Sequence, residues 1–185
     1  LMWCKRYYEI GGLDLQIEAT EKNLALLKNG NYIVREDDDC VFRIESREIE
    51  TKDNGENFIL IGGVDCKAIL SQRIVAKTIS WRGFVREYIA QMIIENVISP
   101  ELNARRISNF EIVDNDLITD VIIQQTTYDI ISEKITELCR GFLLGWKVYL
   151  EDGVFKFTLY KGEDKSHRVE FSIDNDNLIS TKTID

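Results

Sequence analysis

His167 is the only histidine among 185 residues, and it stands in a run of charges within YKGEDKSHRVEF, Tyr160 to Phe171. Serine or cysteine hydrolysis at neutral pH would have to run through it, because imidazole alone titrates there without help. Such a base needs a nucleophile and an orienting partner held by rigid neighbours. Glu163 and Asp164 are close in sequence but belong to a polar loop, and nothing brings Cys139 or Ser132 near. His167 therefore reads as a turn residue between two strands.

The acidic clusters are no closer to chemistry. Asp37, Asp38 and Asp39 are consecutive, so their carboxylates point in different directions, whereas a calcium loop spaces its oxygens alternately around a glycine. Asp174 and Asp176 alternate but lack the central glycine and the distal glutamate, and they read as a loop. Cys4, Cys40, Cys66 and Cys139 are far apart with no CxxC pair, which argues against zinc and for reduced, buried thiols. Gly11-Gly12 and Gly62-Gly63 precede no Lys-Ser/Thr helix start, so they are turn or bulge glycines rather than phosphate cradles. Trp3, Trp81, Trp146 and Tyr7-Tyr8 could stack on sugars, but their alternation with polar residues favours core packing and a partner surface. No catalytic, cofactor-binding or metal-binding residue is assigned.

Composition sets the outer bounds. Hydrophobic residues make up 44% and charged residues 30%, which suits one sizeable core or two small packed units. The formal net charge of −9 leaves no basic stripe for nucleic acid, and Arg105-Arg106 is too small a cluster to supply one. No apolar run approaches the roughly 20 residues of a membrane helix, and LMWCKRYYEI alternates instead of forming a signal-peptide block. The start at Leu1, inside a strand-like stretch, suggests a fragment of a longer chain.

The elements must then be placed. Trp3 to Gln16 alternates around Gly11-Gly12 and predicts a hairpin. Thr20 caps a short helix carrying Leu24 and Leu27, closed by Asn29-Gly30. Strands follow at Tyr32–Arg35, Val41–Glu50 and Phe58–Gly62, and then one helical turn and a last strand ending near Lys77. Strands and turns at this spacing predict an antiparallel, barrel-like domain over 1–77.

The remaining residues, 78–185, read as an α+β unit. Val85, Ile89 and Ile93, with Phe84, Tyr88 and Met92, predict a helix over Trp81–Val97, stopped by Ser99-Pro100. Asp120–Thr126 is β-rich. A second helix over Thr127–Phe142 turns Ile131, Ile135, Leu138 and Phe142 inward, with Gly141 or Gly145 as its exit. Trp146–Leu150, Asp152-Gly153 and Phe155–Leu159 give the clearest hairpin in the chain, and a third strand is expected over His167–Ser172.

The order of these pieces resembles a family of siphophage and prophage tail proteins. WCKRYYEIGGLDLQIEATEKNLALLKNGNYIVRED resembles their start, FILIGGVDCKAILSQRIV their next block, and WRGFVREYIAQMIIENVISP their helix with its Asn-containing stop. YDIISEKITELCRGFLLGWKVYLEDGVFKFTLYKGEDKSHRVEFSIDNDNL resembles the helix, hairpin, loop and strand that complete the pattern. Such proteins are similar to phage baseplate-hub proteins. The resemblance implies a barrel-like domain beside an α+β domain, assembled as a homo-oligomer, often a trimer, with other tail proteins. It implies a virion-tail location after synthesis in the bacterial host cytoplasm, and no catalytic residues or cofactors. Membrane insertion and nucleic-acid binding are not expected. Open edge strands at both ends and exposed aromatics in the first unit are expected to mark the contacts. The alternatives are a tail-associated cell-wall hydrolase and a carbohydrate- or receptor-binding module.

Overall fold

A computed structural model describes residues 1–164 and 167. The first strands are β1 (Met2–Cys4) and β2 (Gly12–Glu18), followed by helix α1 (Glu21–Leu26). After β3 (Tyr32–Arg35), β4 (Asp38–Thr51) and β5 (Asn57–Asp65) comes the short helix α2 (Ala68–Ser71). Then come β6 (Ile79–Phe84), helix α3 (Val85–Ile93) running into a π turn over Ile94–Ile98, β7 (Phe110–Val113) and β8 (Val121–Thr126). Helix α4 (Ile131–Phe142), β9 (Leu144–Glu151) and β10 (Val154–Lys161) complete the described α+β chain.

The first five strands make one antiparallel sheet in the order β1-β2-β5-β4-β3. Helix α1 starts where Thr20 Oγ1 accepts from Asn23 N at 3.2 Å. It lays Leu24 and Leu27 against Ile44, Ile59 and Ile61. The sheet then curls for a local reason: β4 gains one residue between Ile44 and Ser46, opposite Gly63 and Gly62. A side chain at Gly62 would meet Ser46 Oγ at 2.5 Å, and one at Gly63 would meet the Arg43 carbonyl at 2.8 Å.

The curl brings Trp3 of β1 against the start of β4. Its ring meets Phe42 edge-on with centroids 4.5 Å apart, its Nε1 donates to Asp38 at 3.1 Å, and Arg35 lies 5.2 Å over it. The expected barrel is therefore not closed by backbone pairing among the described strands. Side chains bridge its two edges instead, so the β1 and β3 edges are partly sealed against each other rather than open.

The predicted first hairpin is also cut short. β1 ends at Cys4, and Lys5–Gly11 leaves the sheet as a strap across α4 and β9. Gly11 is no turn glycine: a Cβ there would fall 2.3 Å from the Cys4 carbonyl. The expected strand before Lys77 is reduced to one bridge, Ile74 to Ile130.

In the second half, Trp81–Phe84 is strand rather than helix, paired to β8 forty residues later. The helical face begins at Val85 and buries Tyr88, Ile89, Met92 and Ile93 as its spacing requires. Asn96 pins the π turn, accepting from Ala76 N and donating to Met92 O, each at 2.9 Å. The loop before β8 hides β7, which runs parallel to β10 while β9 flanks β10 antiparallel.

Helix α4 buries Ile131, Ile135 and Leu138 but starts four residues later than predicted and ends on Leu143, not on a glycine. Leu143 takes the left-handed conformation, φ 54°. Asp152 and Gly153, φ 52° and 76°, form the expected primed turn. Val41, Cys66, Ile69 and Leu70 join α3, α4, β9 and β10 in one core, each buried side chain of Leu or Ile size contributing roughly 1.5–3 kcal/mol. No helix among the described residues is long and apolar enough to cross a membrane. Asp174, Asp176 and the strand expected over His167–Ser172 lie outside the described residues, apart from His167 itself.

Candidate functional site

Among the described residues, a dense group of ionisable side chains lines a cleft of about 490 Å³ between the strap, the β3–β4 end and β9. Lys5, Asp39, Cys40, Asp65, Lys67, Trp146, Lys147 and Tyr160 all contribute to its walls.

Lys67 is buried, and its Nζ donates to the Arg6 carbonyl at 2.7 Å and the Glu9 carbonyl at 2.8 Å. It also lies 4.7 Å over the Trp146 ring. Burial pulls its ammonium below the ordinary lysine range, with Asp65 pulling the other way. Asp65 is buried too, and burial raises its carboxyl while the Gly11 N–H opposes the rise. Its two oxygens accept from Gly11 N at 2.7 Å and from Lys67 N at 2.9 Å.

Both groups are spent on the strap. Its other ties repeat the pattern. Trp146 Nε1 donates to the Tyr8 carbonyl at 2.5 Å, and Thr136 Oγ1 to the same oxygen at 3.1 Å. Tyr7 OH donates to the Leu143 carbonyl at 3.1 Å and accepts from Gly162 N at 2.6 Å. Arg140 pairs with Glu9. In this cleft the Lys67 ammonium holds backbone carbonyls and the Asp65 carboxyl holds backbone N–H groups.

The three consecutive aspartates are all paired, with Lys5 shared between Asp38 and Asp39. Asp37 pairs with Arg35 at 2.5 Å in the turn. Asp38 takes Lys5 at 2.7 Å, Trp3 Nε1 and Cys40 N. Asp39 takes Lys5 at 3.4 Å and Lys147, joining the first sheet to β9. Contrary to the expected turn, Asp38 and Asp39 already belong to β4. Among the described residues no group of three or more His, Cys, Asp and Glu could hold a metal ion.

His167 is exposed at a turn position, while Cys139 and Ser132 are buried on α4. Burial pushes the thiols of Cys40, Cys66 and Cys139 up to about 12, so they stay protonated and inert at neutral pH. Trp146 is fully buried and Trp3 and Trp81 are half-buried, a poor arrangement for stacking sugars.

The expected display of aromatics on the first unit is not found: Phe42 is buried, Trp3, Tyr7 and Tyr8 are half-buried, and Tyr32 alone of these is exposed. Apart from Tyr32, its large exposed apolar residues are non-aromatic, as are most of those in the second half, where Leu117, Val121, Ile123 and Leu143 stand out beside Tyr128. Sequence reasoning missed this because β8 was placed without its partner β6. The alternation Val121, Ile123, Gln125 was the available signal.

The family described as Siphovirus ReqiPepy6 Gp37-like protein matches residues 1–185. No curated protein matches the chain. Among solved structures it is similar to prophage tail protein gp18 from Listeria monocytogenes EGD-e, at 13% identity and a TM-score of 0.55, over 84% of this chain and 43% of that one. It is similar to the tail protein from Neisseria meningitidis MC58, at 13% identity and a TM-score of 0.51, over 84% of this chain and 44% of that one. The E. coli c3393 protein, a component of the type VI secretion system, aligns at 9% identity and a TM-score of 0.45, over 82% of this chain and 42% of that one. The first two likenesses show the fold. The chain spans less than half the length of these tail proteins.

Proposed function

The chain belongs to the Siphovirus ReqiPepy6 Gp37-like protein family, and we propose that it is a structural component of a phage or prophage tail, working by subunit assembly. The family match over residues 1–185 carries this reading. The fold shared with two tail proteins of known structure supports it. So does a cleft whose buried Lys67 and Asp65 are tied to backbone atoms and whose Lys5, Asp39 and Lys147 pair with one another.

In finer detail, the role is that of a baseplate hub or tail-tip protein, in contact with other tail proteins and repeated as a homo-oligomer, a trimer in the full assembly. A barrel-like unit over 1–77 and an α+β unit over 78–185 would each present surfaces to neighbours, and the protein would reside in the virion tail. The role is non-catalytic. Mass spectrometry and antibody labelling of purified particles test this reading. The protein is expected at the tail tip in fixed ratio to the tail-tube subunit. Its presence only in host lysate, or in the capsid alone, would refute a tail role.

A further inference from the structure

The curl of the first sheet partly seals its own edges, whereas among the described residues no third strand joins the β6–β8 ribbon. Among the described residues, the backbone of Val121–Gln125 has no strand partner other than β6. Every second residue of an antiparallel strand turns its N–H and C=O away from its partner, so this edge can accept another strand. Ile123 is 75% exposed and Val121 63%, with Leu117 at 81% just before them.

Natural edges are usually blunted by charge, proline or a bulge. β3 shows this, with a register shift between Ile33 and Arg35 and an Arg35–Asp37 ion pair. β8, Val-Ile-Ile-Gln-Gln-Thr, has no charge and no proline, and its pairing with β6 runs without a shift. Neither strand of the ribbon carries a carboxylate, although Asp and Glu account for 32 of the 185 residues.

We propose that the β8 edge is a contact between copies of this chain, where a strand of a second copy extends the β6–β8 ribbon. The charge distribution selects that partner. Two copies each bring a formal charge of −9, so they meet best where acids are missing from both sides. A basic partner would be drawn to the acidic surfaces instead. The inference rests on the assembly reading above and names its contact.

Sedimentation of the purified chain over a micromolar concentration series tests it. The wild-type protein is expected to run at a multiple of the 21.5 kDa of one chain. Ile123→Lys, which sets a charge on the exposed edge, is expected to weaken association roughly thirtyfold or more and leave single chains with an unchanged circular dichroism spectrum. Gln125→Glu, a milder change on the same strand, is expected to weaken it less. Ile49→Lys, at an exposed position of the other sheet, is expected to assemble normally. A wild-type protein that stays single throughout would overturn the proposal, as would β8 variants that assemble undisturbed or an Ile49→Lys variant that dissociates equally. Detection of the protein in tails is independent of these outcomes, so the contact can fail while the tail role stands.

Discussion

Gly141, in the last turn of α4, and Gly145, in β9, lie four residues apart, and the same Gly→Ala change should act on them in opposite directions. At Gly145 a Cβ would fall 2.4 and 2.5 Å from ring atoms of Tyr160 and 2.6 Å from Tyr7. Neither ring can step aside cheaply. Tyr160 is fixed directly across from Gly145 in the β9–β10 pairing. Tyr7 is held through its hydroxyl at 3.1 and 2.6 Å, and the two rings meet edge-to-face at 5.3 Å. Forcing a carbon into this space costs about 1–3 kcal/mol in overpacking. Disturbing the hydroxyl bonds and the ring pair adds about 1–2 kcal/mol.

The expected loss for Gly145→Ala is thus about 2–5 kcal/mol, a fall in Tm of roughly 5–20 °C for a chain of this size. Gly141 is the control: nothing lies within 4 Å of its Cβ position. There alanine should stabilise the helix by about 0.5–1 kcal/mol. Urea unfolding followed by tryptophan fluorescence and circular dichroism measures both. Equal stability of Gly145→Ala and wild type would refute the account of the Tyr7–Tyr160 seat, and a loss at Gly141 would refute the claim of open space.

Acid should loosen the junction between the sheets. Burial raises the Asp39 carboxyl but Lys147 and Lys5 lower it more, and its net position is below the ordinary 3.8. A depressed folded pKa gives stability that is complete above the unfolded value and fades as pH falls through the folded one. Asp39→Asn should therefore cost at most about 1 kcal/mol at pH 7, since the pair is half-exposed, and should flatten the decline below pH 3.8. An acid-unfolding curve unchanged in shape would contradict this. Gly153→Ala, at φ 76°, should cost about 1–2 kcal/mol in thermal unfolding through left-handed strain in the hairpin turn. A neutral outcome there would mean that the primed turn does not form.

What could be read from the sequence was set by range. Asp152-Gly153 dictates its turn within four residues, and the spacing of Ile131, Ile135 and Leu138 dictates the buried face of α4, so both were legible. Thr20 announces its cap the same way. Trp81–Phe84 was misread as helix because its apolar content continues into α3, and only pairing with Val121–Thr126 makes it a strand. β7 was hidden in a polar loop because a parallel partner leaves no adjacent turn signal. The left-handed Leu143 went unseen because glycines nearby were the obvious exits. The cleft was the least legible feature: Lys67 and Asp65 are ordinary charged residues in sequence, and their use depends on a strap whose course was taken for a hairpin.

That strap has a consequence for how the molecule is made. Its carbonyls wait for Thr136 and Trp146, and the Tyr7 hydroxyl for Gly162, partners separated from it by 128 to 155 positions. The ribosome therefore releases the strap well before these last partners exist, although β2, Asp65 and Lys67 are made earlier, and loop closure over the longer distances slows folding. The ties of Tyr7 and Tyr8 are the last to form, completed only when nearly the whole described chain has been synthesised.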